Sequence, residues 1–76
     1  MPPMQASVLN IITMRREIAA RYEHANRLWV NARTTYRRLN EAPVQNLNAL
    51  RDAAARLDQL DRGRAALLRD LKALSD

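Results

Sequence analysis

The chain contains no cysteine. That removes both a disulfide framework and any thiolate metal site. One histidine cannot build a multi-histidine metal cluster. Cysteine–histidine catalysis goes with the missing cysteine, and the only serines, Ser7 and Ser75, lie near the two ends. His24 falls at an outward position of a helical pattern and reads as a solvated side chain. A single glycine cannot make a phosphate-cradling loop. Asp58 and Asp61 are three residues apart, a commonplace spacing on a helix surface, and no metal is expected. No apolar run is long enough to cross a bilayer. The stretch MPPMQASVLNIITMRRE is not a signal peptide pattern, because Arg15 and Arg16 follow the apolar run instead of preceding it. These absences lead to the expectation of a soluble, cytoplasmic protein that is not an enzyme and has no cofactor, metal or membrane partner.

What is present is alanine, leucine and arginine, the composition of long helices. Seventy-six residues make one domain. A chain this short buries a small share of its surface and usually needs a staple or a partner. Twelve arginines stand against one lysine, which suggests a GC-rich coding sequence of bacterial or phage origin.

Two helical patterns carry the apolar residues. With Val8 at heptad position a, the a series is Val8, Arg15, Tyr22, Trp29 and Tyr36. The d series is Met4, Ile11, Ile18, Ala25, Ala32 and Leu39. Only Arg15 breaks the apolar stripe, so the segment reads as an amphipathic helix and not as a strand. A second pattern runs Leu47, Leu50, Ala53, Leu57, Leu60, Arg64, Leu67, Leu71, Leu74 in steps of three and four. Asp52–Arg56 and Asp58–Arg62 are candidate i,i+4 ion pairs. Gly63 interrupts the second pattern, which points to a local bend or a close helix approach.

Between the patterns lies LNEAPVQN. Asn40 suits a left-handed residue ending the first helix, and Pro43 suits the first turn of the next. The expected fold is all-α: an antiparallel, coiled-coil-like two-helix hairpin. Its first helix spans about 4–40, its turn about 41–43 and its second helix about 44–74. In that register, facing residue numbers add to about 85. Tyr36, Trp29 and Tyr22 then meet Leu50, Leu57 and Arg64, while Ala32 meets Ala53 and Ala54. Large side chains interdigitate with leucines where small meets small.

One helix layer cannot cover so broad an apolar face. Leu9, Ile12, Leu28, Trp29, Val30 and Leu68 lie on or beside the stripes and are the expected partner-binding residues. The hairpin is expected to complete a four-helix bundle, by dimerisation or by docking on a helix of another protein. In shape it resembles the small dimeric hairpins of plasmid copy-number RNA-binding proteins and the short hairpin chaperones of bacterial type III secretion, without sharing a motif with either. Arg15 and Arg64 occupy stripe positions where a polar residue sets register. Asp61 is expected to pair with Arg64, and Tyr22 to stack on its guanidinium.

The functional expectation is a protein–protein interaction module: a small assembly factor, chaperone or inhibitor. The alternative comes from the net charge of +5. Arg33, Arg37 and Arg38, joined by Arg51, cluster near the turn and would bind RNA or DNA phosphates.

Overall fold

The computed structural model describes residues 3–75, with side chains from Val8 to Ser75. The described residues form two helices, α1 (Pro3–Glu41) and α2 (Leu47–Ser75), and no strand. The two pack against each other along the apolar stripe. Their sense is antiparallel: Arg15 reaches Leu74 and Asn26 reaches Arg64. Met4, the first residue of the d series, lies in α1, but its side chain is outside the described set.

The link differs from the sequence expectation, and side chains explain why. Asn40 does not adopt a left-handed conformation; no described residue has a positive φ. Instead α1 continues one residue further, and the Asn40 carbonyl accepts a hydrogen bond of 3.1 Å from Gln45 Nε2. A helix end leaves carbonyls without partners, and here a nearby amide side chain satisfies one of them. At the other end, Asn46 Oδ1 accepts from the Ala49 amide at 3.0 Å, while the Asn46 carbonyl accepts from Leu50 at 2.9 Å. This is an N-cap. It starts α2 at Leu47 rather than near 44 and leaves Pro43 in the link.

The register stays close to the one expected: Ala32 shares a groove with Ala53, and Trp29 with Leu57. The two side-chain hydrogen bonds between the helices join residues whose numbers add to 89 and 90, because each arginine leans about one turn toward the N-terminus of its own helix. Arg64 thus reaches past Tyr22 to Asn26 and Trp29.

Gly63 also departs from expectation. Neither a bend nor a close approach is seen: α2 runs through it unbroken, and a Cβ built there would meet nothing within 4 Å. Asp58 and Arg62 pair at 3.1 Å on the exposed surface, whereas Asp52 and Arg56 form no ion pair.

The molecule is a rod of 66 × 16 × 14 Å with a radius of gyration of 18.0 Å. A compact domain of this length would have a radius near ~11 Å. A two-helix layer of such proportions has almost no interior. Among the described residues only Ala32 is buried, with 9% of its surface exposed.

Candidate interaction surface

The stripe residues of α1 open onto two different flanks of the helix–helix seam. Leu28, Asn31, Ala32 and Thr35 line one groove together with Ala53 and Arg56 of α2. Trp29 and Tyr36 line the other, with Ala54, Leu57, Asp58 and Asp61. Consecutive residues on a helix are separated by about 100°, so Leu28 and Trp29 diverge to opposite sides. Both are half-buried. Ala32 and Ala53 share the first groove, where their small side chains leave the seam shallow.

The residues expected to bind a partner do not gather into one patch. Leu9 and Ile12 lie near the start of α1, Val30 near its middle and Leu68 on α2; all four are exposed. Leu28 and Trp29 are separated by the seam itself. The structure thus offers a long open face on each flank and an apolar helix end, with no single pocket.

A polar cluster sits on the Trp29 flank. The Arg64 guanidinium lies 3.8 Å from the centre of the Trp29 ring, with that of Arg33 at 5.5 Å. Arg64 Nη1 donates to Asn26 Oδ1 at 2.9 Å, and Nη2 donates to Asp61 Oδ1 at 2.6 Å. Its side chain is 23% exposed. One arginine at a stripe position therefore finds a ring, an amide oxygen and a carboxylate around it. That set of partners suits a planar, multi-donor cation better than a lysine. Tyr22, expected beside it, is half-buried and enters none of these contacts; Trp29 takes that place because the Arg64 side chain leans toward the N-terminus of α2 and so toward the turn. Asn26 was not singled out in the sequence. Its position next to the a/d stripe was the signal available.

Arg15, the other arginine in the stripe, serves the end of α2. Its Nη2 donates to the Leu74 carbonyl at 2.8 Å. A cation at a helix C-terminus meets unpaired carbonyls and the negative end of the helix dipole.

The arginines near the turn have other groups beside them. Arg37 and Arg38 flank a shallow recess with Thr34 and Glu41, which places a carboxylate among the cations. Arg33 leans over Trp29. Arg51 is exposed on α2. His24 is exposed. Among the described residues no three histidine, aspartate or glutamate side chains converge as metal ligands, and no helix is long and apolar enough to cross a membrane.

Comparison with family models, with curated proteins and with solved structures finds no match. Function has to be argued from this geometry. Two of its features were outside the sequence reading. One is the apolar link, where Val44 is 87% and Leu47 71% exposed. The other is the length of α1 that α2 does not reach. α2 ends level with residue 14 or so. Val8, Leu9, Ile11, Ile12 and Met14 at this end are all exposed. Met14 still lines a groove with Ile18, Asp70, Ala73 and Leu74.

Proposed function

We propose that this protein is a non-enzymatic protein–protein interaction module: a helical hairpin that completes its core by associating with itself or with a helix of another protein. The observation that carries this reading is surface area. The chain exposes 6255 Å². A folded monomer of 8.7 kDa exposes about 4,700 Å². The excess of about 1,500 Å² is what each partner contributes to an obligate interface of about 3,000 Å². A four-helix bundle, in which a second helix pair covers one flank of the seam, is the simplest way to bury it. Small-factor roles such as assembly factor, chaperone or inhibitor all use such a face.

Light scattering or sedimentation at varied concentration tests this. The expected result is a dimer, or a monomer that binds a specific protein when that protein is supplied. Leu28→Asp, at the edge of the first groove, is expected to weaken either association. A chain that stays monomeric, melts independently of concentration and binds no protein would overturn the proposal.

Nucleic-acid binding through Arg33, Arg37, Arg38 and Arg51 ranks behind it. The rings that would stack on unpaired bases are half-buried, and the Glu41 carboxylate lies beside Arg37 and Arg38. Titration with single-stranded RNA and duplex DNA at two salt concentrations distinguishes the readings. A salt-dependent complex lost in Arg37→Ala/Arg38→Ala would move the nucleic-acid reading to first place.

A further inference from the structure

We infer that the flank of the seam bearing Leu28 is a self-association face, on which a second copy docks antiparallel about a twofold axis at Gly63. This rests on the association reading above and names the flank, the occupant and the pairing. Two grooves open here. One lies between Leu28, Ala32, Ala53 and Arg56. The other lies between Met14, Ile18, Asp70 and Leu74. Met14 and Leu28 are two heptads apart, as are Arg56 and Asp70. Residues so spaced keep one face toward a coiled seam, so the two grooves share a flank and lie in line. Gly63 stands midway on α2, one heptad from Arg56 and one from Asp70. Each is about 10 Å from it along the helix. A Cβ on Gly63 would meet nothing within 4 Å, so the surface between the grooves is open.

Charge chooses the occupant. The positions projecting onto this flank carry Arg21, Arg38 and Arg56 against Glu17, Asp52 and Asp70. The face is neutral in a chain of net charge +5, and it offers no cationic surface to nucleic acid or to an acidic peptide. The opposite flank, around Trp29, is cationic, with Arg16, Arg33, Arg37, Arg51 and Lys72; two copies would repel each other there. Arg56 and Asp70 are both exposed and form no ion pair with any described residue. About 21 Å of helix separates them, too far for pairing within one chain. A second copy turned end for end about Gly63 brings each Arg56 to the Asp70 of the other. The same rotation lays the groove of Leu28, Ala32 and Ala53 over the groove of Met14, Ile18 and Leu74. The alanines leave the first groove shallow, and the larger side chains of the second fill it. With glycine at the axis, and equally with alanine, two α2 helices approach to about 8 Å. One rotation thus matches both charges and both grooves. A partner of a single sign would meet its own charge at one of the two sites.

Charge exchange in the full chain, followed by sedimentation at low salt, tests the pairing. Arg56→Asp and Asp70→Arg should each weaken the dimer at least tenfold, because each sets like charges opposite one another. Helicity should match the parent, since both side chains are exposed. An equimolar mixture of the two variants should form a heterodimer within a few-fold of the parent affinity, as every ion pair in it is again of opposite sign. A defect confined to one chain gives no such recovery. A second probe uses the lack of native cysteine. Under diamide, Gly63→Cys should form a disulfide-linked dimer across the axis, while Ala54→Cys, on the Trp29 flank, should not. A dimer indifferent to both reversals, or one that crosslinks through Ala54→Cys and not through Gly63→Cys, overturns this pairing and leaves the association reading standing. A monomer at every concentration overturns the pairing too. If that monomer also binds no protein, both proposals fall.

Discussion

Arg64 concentrates more specific chemistry than any other side chain in this hairpin. It occupies a position that the apolar pattern reserves for leucine, yet its guanidinium stacks on Trp29 and bonds Asn26 and Asp61. A desolvated cation over an indole ring contributes about 1–2 kcal/mol. Arg64→Ala is expected to lower stability by about that amount in urea unfolding. Trp29→Leu should be coupled to it by about 0.5–1 kcal/mol in a double-mutant cycle; additive single effects would show the stack to be energetically idle. The cluster also fixes register, because sliding one helix by a turn takes Arg64 away from both Asn26 and Trp29. The neighbouring Gly63 makes the opposite case. Its backbone is helical and a methyl group there meets open space. Gly63→Ala should stabilise the protein by about 0.5–1 kcal/mol, raising the melting temperature by roughly 3–6 °C in a domain this small. A fall in melting temperature would mean that the glycine serves a contact made only in an assembly.

The two helices differ in how their ends are fixed, and that difference sets the architecture. α2 begins where Asn46 caps it. Asn46→Ala removes the acceptor for the Ala49 amide and should cost about 1 kcal/mol, with faster hydrogen exchange confined to the first turn of α2; an unchanged exchange pattern would assign the start of α2 to packing instead. Both helices were legible in the sequence because the stripe persists over many turns, and a sustained period is hard to mimic by chance. The link was not. Pro43 and Asn46 are both credible start signals, and choosing between them requires knowing that Gln45 and Asn46 side chains satisfy the backbone groups on either side. The pairing along the seam does not depend on that choice: Ala32 and Ala53 share one groove and Trp29 and Leu57 the other, as the stripes implied. Arg64 was expected beside Tyr22 and is found on Trp29 because its long side chain leans along the seam. The Asp61–Arg64 contact was legible because it is local, three residues within one helix.

At the scale of the whole molecule, the missing interior becomes a thermodynamic prediction. Two layers of side chains meet along one seam, and among the described residues none is fully buried. The apolar free energy available to the lone hairpin is correspondingly small. Native dimers dissociate as they unfold, so mass action ties their melting temperature to concentration. For an unfolding dimer, a tenfold rise in concentration is worth about 1.4 kcal/mol. Two chains of 76 residues together gain about 0.3 kcal/mol per degree in unfolding entropy. The melting temperature should therefore climb by about 4 °C for each tenfold increase above the dissociation constant. Differential scanning calorimetry over two decades of concentration reads this directly. A flat response with reversible unfolding would remove self-association as the means of completing the core, and would direct attention to a helix on another protein, whose addition should then raise the melting temperature instead. If Leu28→Asp flattens the slope, the flank of the seam is the site of the coupling, and the assembly is the side-by-side bundle.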